Sequence, residues 1–265
     1  MTDRLKSWVL PALVIGFFAF IIAPIAIVVL ISFQSANYIA FPITSLSMKW
    51  FVRIVEYEPF LDSLIVSFEI AFAAAFLAAV LGVPAALAIV RSRSRRADLV
   101  MTFLLSPLSI PLIVLGFALL FYLSALGLGV SFVSLLIGHT VVSLPYIVRT
   151  VVGVYRGVNT QFEEAAEIHG ATRWQTFRHI TFPLIRPGIF GGSLLSILIS
   201  LDNLPVSYFF GSATTNTLPV VMLSYLETSF DPSIAALSTF QLAIAVIALW
   251  AIDRIYGLRQ LASTI

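Results

Sequence analysis

The chain has 265 residues, 60% of them hydrophobic and 11% charged. Soluble domains hold roughly 45–50% apolar and about 25% charged residues, so an ordinary water-soluble globule is excluded and lipid is the expected solvent for most of the chain. It contains no cysteine, which removes disulfides, thiol chemistry and thiolate metal sites.

The basic start and apolar run at the N-terminus imitate a secretion signal. The uncharged stretch 7–37 far exceeds the roughly 7–15 apolar residues of such a signal, so a retained membrane anchor is expected. A helix needs about 20 apolar residues to cross a hydrocarbon core of roughly 30 Å. Runs of that kind predict six spans, at about 8–33, 64–90, 100–124, 132–152, 188–210 and 234–252. Residues 99–148 carry no Lys, Arg, Asp or Glu and are too long for one span. The glycines of SALGLGVS, 124–131, divide that stretch, because glycine favours turns and helix ends. The expected fold class is an all-α membrane protein, a single domain over 1–265 with six transmembrane helices.

Cytoplasmic loops hold the excess of Lys and Arg. With the N-terminus inside, Arg4, Lys6, Arg91, Arg93, Arg95, Arg96, Arg149, Arg156, Arg173, Arg178, Arg186, Arg254 and Arg259 fall inside, and Lys49 and Arg53 fall outside. Both termini are therefore expected in the cytoplasm, with outer loops at 34–60 and 211–232. The run RSRSRR at 91–96 reads as a topology anchor, though such a run also suits acidic lipid or nucleic acid. No nucleic-acid partner is expected.

Between spans four and five lies a polar island at 156–187, including EEAAEIHGATRWQTFRHITFPLIRP. Thr160 and Glu163 have capping-box spacing, as do Thr172 and Gln175. The pattern predicts a helix to His169, a left-handed turn at Gly170, and a second short helix ending before Pro183, which cannot donate an interior helix bond. Phe162, Ala165, Ala166 and His169 share one face of the first helix; Trp174, Phe177 and Ile180 share one face of the second. Helices this short are marginal alone in water, so they need a surface to pack on. That surface is either lipid and their own bundle or a docked protein.

The sequence Glu164-Ala165-Ala166, with Gly170 after three further residues and then Ile180 and Pro183, resembles the EAA loop of ABC-importer permeases. The family pattern is EAA, three residues, G, nine residues, I, one residue, L, P, and Phe182 stands here in the place of Leu. Chain length, span number and loop position also fit, so the likeness covers the whole chain. It implies that the island is a coupling helix seated in a groove of a cytoplasmic ATPase. The coupling set is then Glu163, Glu164, Ala165, Ala166, His169, Gly170, Ala171, Trp174 and Pro183. Its acids would meet solvent or basic groups, and Gly170 would supply the tight turn.

The chain has no GxxxxGK[ST] phosphate loop, and its lysines are Lys6 and Lys49 alone. No catalytic residue, metal site or cofactor is expected in this chain; ATP and Mg would be bound by the partner ATPase. His139, His169 and His179 make no metal-type spacing. His139, inside span four, reads as a packing hydrogen-bond partner, with a pathway role as the other reading.

Charges within a bilayer are costly and face protein or water. Asp202 in span five, three residues before Pro205, and Glu69 near the start of span two are such charges. With Ser200, Asn203, Ser207 and Tyr208 they either pack helices or line a translocation path. Span five and the segment TLPVVMLSYLETSFDPSIAALST, 217–239, resemble the second permease of spermidine/putrescine-type importers. That likeness implies a polyamine or similar small cationic or zwitterionic solute, with phosphonates, opine-like compounds, iron or thiamine as cargoes of related permeases. It also implies a second permease subunit, two ATP-binding subunits, an extracytoplasmic substrate-binding protein and a place in a bacterial inner membrane. Outside that class, a secondary transporter or a membrane scaffold remains open; only span five looks broken, whereas secondary transporters often break helices in both halves.

Overall fold

The computed structural model describes residues 2–39, 42–43, 45–92, 94–212 and 215–256; Arg93 and Arg259, assigned to the inner side above, lie outside them. The described residues form α1 (Thr2–Ser32), α2 (Lys49–Glu56), α3 (Glu58–Ser92), α4 (Arg95–Leu105), α5 (Leu112–Ala125), α6 (Phe132–Arg156), α7 (Gln161–Ile168), α8 (Arg173–Thr176), α9 (Phe182–Leu201), α10 (Leu204–Phe210), α11 (Leu218–Thr228) and α12 (Ser233–Tyr256). Among the described residues, four stretches are long and apolar enough to cross a membrane: Val9–Ser32, Glu58–Ser92, Phe132–Arg156 and Arg173–Leu201. A bent pair, Arg95–Leu108 with Leu112–Ala125, makes a fifth if it is one span. The sixth expected span falls on α12, whose stretch Ser233–Ile247 is a shorter apolar helix.

The chain divides into two compact units, Met1–Leu61 with Met222–Ala248, and Asp62–Val221 with Leu249–Ile265. In the first unit, α1 keeps its helix through Pro11 and Pro24, and Leu10, Leu13, Phe17 and Phe20 along it are exposed. The segment that follows α1 is tied down by the Trp50 indole N–H, which donates to the Gln34 carbonyl at 2.7 Å. Tyr57, Phe60 and Tyr225 cluster with ring centroids 4.8–5.6 Å apart, Tyr57 edge-on to both of the others, and the Tyr225 hydroxyl donates to Asp231 at 2.7 Å.

The second unit is organised on α6, which buries side chains from Ser134 to Tyr155. Its loop-side half packs with Ala78, Val83, Ile89 and Ile185, and its other half with Ile70, Leu123, Val206 and Phe210. Along α9 the small residues Gly188, Gly192, Ser196 and Ser200 recur every four positions and are all buried. Helices in lipid gain little from hydrophobic burial and associate instead by close van der Waals approach over such small residues. A Cβ built on Gly192 would meet the Thr150 hydroxyl at clash distance and the Ile147 Cα at 3.0 Å. The Ser196 hydroxyl lies 3.2 Å from the Ser143 carbonyl across the seam.

Two expectations are corrected. The third span is not one straight helix: it stops at Leu105, passes through a 3-10 turn, and resumes at Leu112 after a bend of 104°. Pro107 brings no N–H, and Pro111 biases its preceding residue away from helix; SPLSIP was the overlooked signal. Span five is therefore not the only broken one. The stretch 211–232, expected as an outer loop, also contains a helix, α11.

Overpacking a tight contact costs roughly 1–3 kcal/mol. Gly192→Val should lower the melting temperature of the detergent-solubilised protein accordingly. Gly153→Ala, on α6 but exposed and with nothing within 4 Å of its added methyl, should leave it unchanged or raised. Equal melting temperatures for both variants would refute the seam.

Candidate functional site

In the island, α7 begins without the expected capping box. Thr160 has helical backbone angles and makes no side-chain cap; Asn159 Oδ1 instead accepts from the Gln161 N–H at 3.0 Å. Glu163 does not reach back because its carboxylate is engaged elsewhere. It accepts from the Tyr155 hydroxyl at 2.9 and 3.0 Å, from Arg91 at 3.1 Å to each oxygen and from the Thr181 hydroxyl. The Glu163 side chain is 13% exposed and that of Arg91 54%. Arg91 Nε also donates to the Tyr155 oxygen at 2.9 Å. Beside this knot lies a cleft of about 430 Å³, lined in part by Arg91, Asp98, Tyr155, Arg156, Thr160 and Glu164.

Helix α7 closes as expected. Gly170 is left-handed at φ +83°. The Ala171 N–H returns to the Ala166 carbonyl and the Gly170 N–H to that of Glu167, both at 3.0 Å, which is the Schellman pattern. The second capping box is present between Thr172 and Gln175. The helix it opens does not end before Pro183, however. It runs through a π turn, Phe177–Thr181, in which the Phe182 N–H bonds the Phe177 carbonyl, and continues into α9. The wider turn makes room for Pro183, which then sits in the first turn of α9.

Three large apolar side chains of the island are open to solvent: Phe162 is 56% exposed, Ile168 83% and Trp174 65%. Glu164, Ala165, Glu167, His169 and Pro183 are exposed too, while Ala166, Ala171, Phe177 and Ile180 are half-buried. Sequence spacing missed Ile168, which fell off the assumed face.

In the second region, α9 ends at Leu201 and α10 starts at Leu204. The break comes before Pro205: the Asn203 side-chain oxygen Oδ1 caps α10 by accepting from the Val206 N–H at 3.1 Å. His139 bridges the break, with Nδ1 2.7 Å from the Ser200 hydroxyl and Nε2 2.9 Å from that of Ser207. This is the packing role read for His139 from the sequence. Asn203 and Ser207 are buried, whereas Asp202, Tyr208 and, on α3, Glu69 are exposed. No hydrogen bond or ion pair joins Glu69 to the Asp202 region among the described residues.

Residues 78–257 match the family described as binding-protein-dependent transport system inner membrane component. The chain is 32% identical over 229 residues to the spermidine/putrescine transport system permease protein PotC of Haemophilus influenzae, covering 86% of this chain and 89% of that one. It is 31% identical over 231 residues to the molybdenum transport system permease protein ModB of Mycobacterium bovis, covering 80% and 86%. The fold is similar to a chain of a bacterial ABC transporter involved in the import of the acidic polysaccharide alginate, with a TM-score of 0.74, 16% identity and coverage of 97% and 98%.

Burial alone would raise the Glu163 carboxyl, but the bonds from Thr181 and Tyr155 and the charge of Arg91 outweigh it and hold the group below its ordinary value. A lowered folded value means that the stabilisation is complete above the ordinary value of about 4.5 and is lost as pH falls through the folded value. Glu163→Gln should therefore melt below the parent at neutral pH, with the gap closing as the pH is taken well below that value. A gap that stays constant over the whole acid range would refute this.

Proposed function

The chain belongs to the inner-membrane components of binding-protein-dependent transport systems, and on that premise we propose that it is the permease subunit of an ATP-driven importer for a polyamine or similar small cationic or zwitterionic solute. The island is its coupling loop. Phe162, Ile168 and Trp174 present an apolar face around the turn at Gly170, flanked by Glu164 and His169, and a groove of a cytoplasmic ATPase would cover it. A second permease subunit would complete the path, and an extracytoplasmic binding protein would deliver the solute. Catalysis, with ATP and Mg, belongs to the ATPase.

Six spans and cytoplasmic termini follow from the placement of Lys and Arg. Reporter fusions after Arg95 and after Pro232 should report inside and outside, respectively; an outside signal at Arg95 would sink this topology.

The observation that carries the cargo is the exposed Asp202 at the break of span five, taken with the likeness to a spermidine/putrescine permease. A lipid-facing carboxylate at that depth would cost at least about 2.5–3.5 kcal/mol, so it faces protein or water. There a single negative charge offsets the dehydration of an amine in transit. Tyr208, Asn203, Ser207 and Glu69 are the further groups assigned to the path, Asn203 and Ser207 by shaping the break. A permease named for molybdenum is similar to this chain at a like identity, but the acid at this break suits a cationic cargo.

The intact complex, purified through a tag on this chain, should carry an ATPase and a second permease, and cells expressing it should take up labelled spermidine. Asp202→Asn should reduce that uptake several-fold with assembly intact. Normal uptake with normal assembly would refute the path role; lost assembly would assign Asp202 to packing.

A further inference from the structure

Glu163 and Glu164 are neighbours with opposite environments: Glu164 is exposed, while Glu163 turns inward. One Glu163 carboxylate gathers Arg91 from the last turn of α3, Tyr155 from the last turn of α6, and Thr181 from the π turn that feeds α9. Three long apolar helices thus meet on a single side chain of α7. Helix α7 itself buries no residue, and among the described residues Glu163 is its one side chain hydrogen-bonded to any of them. An eight-residue helix is marginal alone, so its hold on α3 and α6 is this knot rather than burial.

We propose that Glu163 is the positioning residue through which movement of the island's exposed face reaches α3, α6 and α9. The inference builds on the reading that an ATPase docks on that face. The members are unequal. Arg91 is more than half exposed, and an exposed ion pair contributes little. Hydroxyl donors to a part-buried carboxylate make charge-assisted bonds, which are shorter and stronger than neutral ones, so Tyr155 and Thr181 carry most of the linkage. Without Glu163 the loop can still dock and the ATPase can still turn over, but its displacement is no longer delivered to the membrane helices.

The test uses the intact complex and needs no knowledge of the cargo. The chain is cysteine-free, so a single Tyr208→Cys beside the span-five break reports that region by its rate of maleimide labelling, resolved to this chain on a gel. In the parent, ATP should change the rate at least about threefold. With E163Q added, the ATPase should still co-purify and hydrolyse ATP within about twofold of the parent, while the labelling rate loses its response to ATP. T181V and Y155F should give partial loss. An undiminished ATP response in E163Q overturns the proposal, as does a parent with no ATP response. Loss of the ATPase from all three variants also overturns it, since the knot would then serve assembly alone. If the parent brings down no ATPase, the importer reading fails and this inference fails with it.

Discussion

The close approach of α6 and α9 is the constraint on which the second unit depends. Between helices in lipid there is little hydrophobic force, and contact must come from surface fit and a few hydrogen bonds. Gly188 and Gly192 let the α9 backbone lie against Ile147 and Thr150, and Ser196 adds a bond to the Ser143 carbonyl. Because α9 is continuous with the island helix from Arg173 onward, the same seam fixes two distant features. It sets where the island leaves α6 and where α9 ends at Leu201.

The breaks obey a second constraint: backbone groups freed inside a membrane need partners. At the break of span five, Asn203 caps α10 and His139 holds the hydroxyls on either side. The bend of the third span is handled differently, by a 3-10 turn at Ser106–Leu108 with prolines that have no N–H to satisfy. A broken helix can therefore persist here without water at every free group, while the exposed Asp202 still calls for water or protein opposite its charge.

Much of this was legible in the sequence, and the rest was hidden for physical reasons. Apolar runs marked the long helices because spanning lipid demands length and hydrophobicity together. Gly170 and the Thr172 cap are local devices, decided within a few residues, and both form as spacing predicts. Thr160 and Glu163 had the same spacing, yet no box forms there: partners 8, 18 and 72 residues away take the carboxylate, and no local rule can see them. Pro183 looked like a helix stop because the α-helix rule assumes i−4 bonding, and a π turn changes that spacing. Which acids would be exposed was likewise undecidable from spacing, since Glu163 and Glu164 read alike until their neighbours are in place.

The pair Glu163 and Glu164 shows how one short helix can serve two solvents. Successive side chains on a helix point about 100° apart, so adjacent acids cannot both face the same neighbour. With Ala165 and Ala166 beside them, one acid is free on the outer surface and the other is spent on the chain's own helix ends. Under the proposed docking, burying Phe162 or Ile168 internally would remove the surface on offer to the ATPase. Fastening the helix from behind, through a charged group with several donors, leaves that surface open. The apolar outer face and the polar inner knot are thus two consequences of one requirement, that α7 be firmly attached to the membrane helices while burying nothing of its own.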